Sequence, residues 1–169
     1  MGDRAPCYPV LMRPLLVFLA VVLVGCSSSS TSTSSSAESG ASSGDAKAYL
    51  DKAAAQPGAV RTASGLVYRE LRAGSGESPK ASDTVTVNYR GTLVDGTEFD
   101  SSYKRNEPAQ FPLGQVIPCW TEGVQKMKVG GKSELVCPAS IAYQDRGSPP
   151  VIPGGATLIF EVELLKIGG

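Results

Sequence analysis

From about residue 65 to the end of the chain, apolar and polar positions alternate in short runs separated by turn residues. This period of two is that of antiparallel strands with one buried face. In TVTVNYRG, Val85, Val87 and Tyr89 fall on one side. Ser133, Leu135 and Cys137 alternate in a second run, and Leu158, Phe160, Val162 and Leu164 in a third, with Glu161 and Glu163 directed outward. Asp95-Gly96 separates the first run from Thr97-Glu98-Phe99-Asp100, and that dipeptide suits the positive backbone angles of a tight hairpin turn. One segment breaks the rhythm. After Pro118, the residues Trp120, Val124 and Met127 recur at helical spacing until Gly130-Gly131, which predicts one short amphipathic helix with its apolar stripe against the sheet.

The first third of the chain reads differently. From Leu15 to Val24 it is unbroken apolar sequence, LLVFLAVVLV, preceded by Arg13 and followed by Gly25 and Cys26. Such a run is too short to cross a hydrocarbon core as a permanent helix, which takes ~20 residues, but it suits the core of a signal peptide over residues 1 to 25. Leu23-Val24-Gly25-Cys26 resembles a bacterial lipobox, which implies cleavage before Cys26 and acylation of that cysteine. Two or more acyl chains hold a protein on a membrane where one lets it leave, each buried methylene contributing ~0.8 kcal/mol. The alternative is a secretory signal cut elsewhere. Met12 opens a cleaner signal than Met1, because residues 1 to 11 add only Asp3, two prolines and Cys7, so Met12 is a second candidate start. Residues 26 to 44 are nearly all serine, threonine, glycine and alanine after the cysteine, a composition that cannot bury enough apolar surface to offset chain entropy, and are read as a flexible tether. Between Asp45 and Gln56, good helix formers follow a capping aspartate until Pro57-Gly58, giving a short helix and linker over 45 to 63.

Composition narrows the chemistry. The chain has 169 residues, enough for one domain and appendages but not for a second sizeable core. Lysine plus arginine equals aspartate plus glutamate at 16 each, so no overall field draws it to nucleic acid. Histidine is absent, which removes Ser-His-Asp and Cys-His nucleophiles and histidine metal sites. The four cysteines form no CxxC pair of the kind that holds zinc. No metal and no cofactor is expected.

VTVNYRGTLVDGTEFDSS, FPLGQVIPCWTEGVQKMKVGGKSELVCPASIAY and GATLIFEVELLKI, in that order, resemble the FKBP-type peptidyl-prolyl cis-trans isomerases, and TASGLVYRELRAGSGESP resembles the first strand of their bacterial Mip-like branch. The resemblance covers about residues 64 to 169 and implies an α+β fold, a twisted five-stranded antiparallel sheet curled around one short helix. It implies catalytic roles for Tyr89, Phe99, Asp100, Ile117, Trp120, Tyr143 and Phe160, with Trp120 as the floor of a pocket that grips the prolyl ring. It also implies substrate contacts from Val116, Ile152, Arg105 and Phe111. Taken singly, each of these aromatic and aliphatic residues reads more readily as core than as site. What favours a site is Asp100 and Tyr143 among them, because polar groups beside aromatics need partners or a purpose. The substrates implied are proline-containing polypeptides, and the inhibitors are macrolides.

Departures from the family pattern are Ala109 in place of a second aromatic wall, which predicts a wider pocket there and weaker macrolide binding, Gln144 where glycine is common, and Ser148 where some members have histidine. Gln144 and Ser148 belong to QDRGSPPVIPGG, the segment that overhangs the pocket in the family. Cys119 at the helix start and Cys137 facing inward are expected to form a disulfide if the domain is exported; the alternative is two buried thiols. The rival functions are a holdase that binds unfolded chains without turnover and a structural envelope lipoprotein. A monomer is expected, in the bacterial envelope, with the domain in the periplasm or at the cell surface. Resemblance to bacterial lipoproteins alone favours the outer membrane, since Ser27 stands where aspartate often signals inner-membrane retention.

Overall fold

Residues 43–168 are described by the computed structural model, so the apolar run, Cys26 and nearly all of the Ser-rich tether lie outside the described residues. Two ten-residue strands, β3 (Thr84–Leu93) and β7 (Leu158–Ile167), form the spine of one antiparallel sheet, and their alternating burial follows the alternation in the sequence. The other strands are β1 (Ala59–Arg61), β2 (Val67–Arg72), β4 (Glu98–Ser101), β5 (Ala109–Pro112) and β6 (Lys132–Cys137). Their order across the sheet is β1-β2-β6-β7-β3-β4, with β5 also on β3. The helices are α1 (Ser43–Ala54), the single turn α2 (Ser102–Arg105) and α3 (Pro118–Gln125).

The sheet has seven strands where five were expected. Two short pieces account for the difference. β5 takes Thr84 to Val87 of β3 while β4 takes Arg90 to Thr92 along the same edge, so two strands share one neighbour. β1 adds three residues outside β2, so the folded unit includes residues before 64. The Asp95-Gly96 hairpin is present: Gly96 has φ +87°, its N–H donates to Leu93 O at 3.0 Å, and the Asp95 carboxylate accepts from the Thr97 N–H at 2.8 Å.

Three β-bulges punctuate the ladders. Register slips place Leu71 between Glu70 and Arg72, Leu165 between Leu164 and Lys166, and Phe99 between Glu98 and Asp100 as the extra residue. An unpaired residue at a bulge is free of the strict in–out alternation. Leu71 and Leu165, exposed despite being leucines, owe their position to this.

The main core lies between the inner sheet face and α3. Val85, Val87, Leu135, Leu158, Val162 and Leu164 pack with Val124 and Met127, all almost completely buried. On the outer face α1 lays Leu50 and Ala53 on Val67, Val136 and Ile159, forming a second, smaller cluster. The helix starts at Ser43 rather than Asp45 and ends at Ala54. The uncovered outer face carries cross-strand ion pairs, Lys132 with Glu161 at 2.8 Å, Arg69 with Glu134 at 3.2 Å and Arg72 with Glu163 at 2.5 Å.

Candidate active site

Consecutive residues of a regular strand point to opposite faces, so Phe99 and Asp100 would not normally face one hollow together. The β4 bulge at Phe99 removes that constraint, and both residues line the same cavity. Beneath them, Gly91 of β3 pairs with Asp100 on one side and Phe160 on the other. A Cβ at Gly91 would lie 2.5 Å from Phe99 Cζ and 3.0 Å from Phe160 Cε1. Only glycine lets these two rings come so near the strand.

The floor is Trp120, which α3 presents in its first turn, two residues after Pro118, and which is 4% exposed. Tyr89, Phe111 and Phe160 each stand edge-on to its indole, with ring centroids at 5.3, 5.4 and 5.4 Å. Phe99 stands edge-on to Phe160 at 5.5 Å. Edge-to-face packing is the favoured aromatic geometry, each pair contributing about 0.5–1.5 kcal/mol beyond area burial. The rings therefore hold one another, leaving an open, apolar hollow of about 560 Å³.

At the rim sits a polar triad. The Tyr89 hydroxyl donates to Asp100 Oδ2, and the Arg105 guanidinium donates from Nη1 to Asp100 Oδ1 and from Nη2 to the Tyr89 oxygen at 2.9 Å. The Ser101 N–H adds a bond to Asp100 Oδ1 at 2.8 Å. Burial works against the Asp100 charge, but these donors and the adjacent cation outweigh it and hold the carboxyl below its ordinary value. Burial, reinforced by the Asp100 carboxylate, pushes the Tyr89 hydroxyl up, so it remains a donor. The backbone behind the triad is tied by Ser102, whose buried hydroxyl accepts from the Tyr89 N–H at 2.9 Å.

Ten of the eleven residues singled out for catalysis or substrate contact line this hollow: Tyr89, Phe99, Asp100, Phe111, Val116, Ile117, Trp120, Tyr143, Ile152 and Phe160. Arg105 does not. Its guanidinium lies 5.7 Å from the Tyr89 ring centre and pairs with the Asp100 carboxylate. Ala109 pairs with Val87 and packs against the core without lining the hollow; Phe111, two residues on, supplies the wall there. Sequence reasoning did not single out Gln115, nor Gly91 beneath the rings, and it placed Pro149 and Val151 over the pocket only as part of the segment QDRGSPPVIPGG. A lone glycine within a strand pattern is a readable sign of close approach. Nothing in the residue type of Gln115 marks it.

Val116 and Ile117 reach the hollow from extended backbone just ahead of α3. The opposite wall is the segment after β6. It turns through Ala139–Ile141 and Gln144–Arg146, and a bridge between Ser148 and Ile152 holds Pro149 and Val151 over the opening. Gln144, read above as a departure from the family pattern, has φ +51°, the left-handed region that suits glycine. Cys119 of α3 and Cys137 of β6 are joined in a disulfide, with Cα atoms 5.8 Å apart. Among the described residues no group of three or more Cys, Asp or Glu is placed to hold a metal.

A sequence profile described as FKBP-type peptidyl-prolyl cis-trans isomerase matches residues 75–165. The chain belongs to the FKBP-type isomerase family. FkpA of Escherichia coli K12 is 53% identical over 121 residues, which is 72% of this chain and 44% of FkpA. Mip of Coxiella burnetii is 46% identical over 121 residues, covering 72% of this chain and 53% of Mip. The chain thus spans about half the length of these curated relatives. Among solved structures, Escherichia coli FkpA superposes with a TM-score of 0.72 at 51% identity, over 74% of this chain and 58% of that one. The peptidyl-prolyl cis-trans isomerase of Pseudomonas syringae pv. tomato superposes with a TM-score of 0.69 at 35% identity, over 73% of this chain and 91% of that one. The FKBP-like fold, an antiparallel sheet with a short helix against it, is shared with both.

Proposed function

We propose that this FKBP-type domain is a peptidyl-prolyl cis–trans isomerase acting on Xaa-Pro bonds of envelope or secreted proteins. The single observation that carries this is the ring-walled hollow over Trp120 with the Tyr89–Asp100–Arg105 triad fixed at its rim. Rotation about an Xaa-Pro bond breaks no bond; it suspends ~20 kcal/mol of amide resonance. The site therefore needs only to bind the twisted amide better than either planar isomer. A planar amide is more dipolar than a twisted one, so a hollow walled by Phe99, Trp120 and Phe160 favours the twisted form. In this reading the Ile117 N–H and the Tyr143 hydroxyl donate to substrate carbonyls, Val116, Ile152 and Phe111 hold the chain, and Asp100 polarises the twisting carbonyl.

The test is a protease-coupled assay of a short prolyl peptide with the full chain, with and without a macrolide that fills the hollow. Macrolide-sensitive acceleration is expected. No acceleration of the peptide, with suppression of aggregation of a larger unfolded client, would instead assign a holdase.

Attachment to the bacterial envelope through Cys26 is part of the same proposal and rests on Leu23-Val24-Gly25-Cys26. The Cys119–Cys137 bond supports export, since disulfides persist in oxidising compartments. Radiolabelled palmitate should enter the protein and not its Cys26→Ala variant; equal labelling of both would end the lipoprotein reading. A monomer is favoured because α1 places Leu50 and Ala53 on its own sheet, leaving no comparable stripe on that helix for a second copy.

A further inference from the structure

The disulfide joins two walls of the pocket. Cys119 immediately precedes Trp120, the floor, and follows Ile117 by two residues in the first turn of α3. Cys137 ends β6 and immediately precedes the segment that carries Tyr143 and Ile152 over the opening. Both cysteines are fully buried.

Trp120, Val124 and Met127 pack α3 into the core, and its backbone comes closest to β6 at two points. The first is the covalent bond between Cys119 and Cys137. The second is one helical turn further on, at Gly123, where a Cβ would lie 2.7 Å from Leu135 Cδ2. Four helical residues rise ~6 Å and two strand residues ~6.7 Å, so the positions 119 and 123 match 137 and 135 in spacing. With the bond opened, α3 keeps the apolar packing of Trp120, Val124 and Met127 but loses its covalent tie to the end of β6, which leaves the first turn, and the indole it carries, freer to shift. The covalent point removes that freedom.

We propose that Cys119 and Cys137 are positioning residues for the isomerase reaction: their bond fixes α3 on β6 so that Trp120 and Ile117 keep their distance from Tyr143 across the pocket. This rests on the isomerase reading of the hollow. The bond acts through residues that touch substrate and makes no contact with the amide. Its loss should weaken the hold on the prolyl ring, a rise in KM larger than the fall in kcat, because the triad on β3, β4 and α2 is anchored separately through Ser102 and Arg105.

The experiment compares three forms of the full chain: oxidised wild type, wild type reduced with dithiothreitol, and the volume-matched Cys119→Ala/Cys137→Val variant. In the reduced form the dithiol supplies two electrons and two protons to the cystine and closes to its own cyclic disulfide. Trp120 is the sole tryptophan, so emission reports on the pocket floor alone. The expected result in both forms lacking the bond is a threefold or greater rise in KM for a prolyl peptide and a shift in tryptophan emission. Faster amide exchange should be confined to residues 117–121 and 138–143. Overturning results are kcat and KM within twofold of the oxidised protein, exchange that accelerates evenly over β3, β6 and β7, or global unfolding on reduction, each of which makes the bond a general staple. If the oxidised protein shows no isomerase activity, the functional reading fails separately, and exchange and emission still decide whether the bond positions the floor.

Discussion

Gly91→Ala is the sharpest test of how this site is built, because one methyl group separates the architecture of the pocket from the stability of the sheet. Its Cβ would sit 2.5 and 2.6 Å from Phe99 Cζ and Cε2 and 3.0 Å from Phe160 Cε1. Carbon atoms prefer roughly 3.5–4.0 Å, so about 1 Å must be yielded. Phe160 is 4% exposed and clamped against Trp120, whereas Phe99 is only partly buried at a bulge, so Phe99 gives way. Overpacking of this kind costs about 1–3 kcal/mol. Gly91 has an ordinary negative backbone φ, so alanine recovers about 0.4–1 kcal/mol by restricting the unfolded chain. A net loss of about 1–2 kcal/mol corresponds to a Tm lower by about 3–12 °C in a domain of this size. Displacing a pocket wall by about 1 Å should cost more in turnover than in stability: at least tenfold in kcat/KM for a prolyl peptide, ~1.4 kcal/mol of barrier. Adding Phe99→Leu should recover most of the lost stability and none of the activity, since the clash is relieved but the ring is gone. If Gly91→Ala keeps kcat/KM within twofold of the wild type while losing stability as calculated, the position of Phe99 does not matter and the ring-walled hollow is not where the amide twists.

Asp100→Leu and Phe99→Ala should each lower kcat/KM at least tenfold with the fold intact by circular dichroism, because both side chains line the hollow and neither is fully buried. The pH dependence follows from the same triad. The Asp100 carboxyl is held below its ordinary value of 3.8, so its contribution to stability is complete above that value and is lost as pH falls through the lower folded value. Tyr89 is raised above 10.0, so its contribution is complete below that and lost as pH rises through the higher folded value. Isomerase rates should therefore be flat from about pH 5 to about pH 9, and a step inside that window in the wild type would show that another group controls the site. Leu50→Ala, on the far side of the sheet from the hollow, should lower the urea midpoint by the equivalent of about 2 kcal/mol at unchanged slope and leave kcat/KM within twofold.

The elements that follow a fixed period were readable from the chain alone. Alternation at Val85, Val87 and Tyr89 and at Leu158 to Leu164 is buried as the pattern demands, and the helical spacing of Trp120, Val124 and Met127 faces the sheet. Short pairings without a pattern were not readable. Three residues at Ala59–Arg61 cannot display an alternation, and Ala109–Pro112 contains a single large apolar residue. The role of α1 was hidden for a related reason. Its buried stripe is Ala46, Leu50 and Ala53, but alanine also occupies positions 48 and 54, so composition blurs the face that docks.

The site itself depends on places where the period fails. Read as a regular strand, Glu98–Ser101 would send Phe99 and Asp100 to opposite faces, and one of them would have to be excluded from the pocket. The extra residue in β4 lets both line it, and a register slip between strands about ten residues apart leaves no mark on local composition. Resemblance to a family could bring those residues together by name, but only the bulge explains how adjacent positions share one hollow, and only Gly91 explains how closely the rings approach the strand beneath them. The same limit applies to Arg105. A basic residue six positions after Phe99 looks like a substrate contact, yet α2 turns the chain so that its guanidinium meets Asp100 and Tyr89 from behind. Neutralising it as Arg105→Met should therefore act on the carboxylate: the pH at which activity is lost on acidification should rise toward the ordinary aspartate value, with KM little changed. A rise in KM with an unaltered acid limb would return Arg105 to the pocket wall.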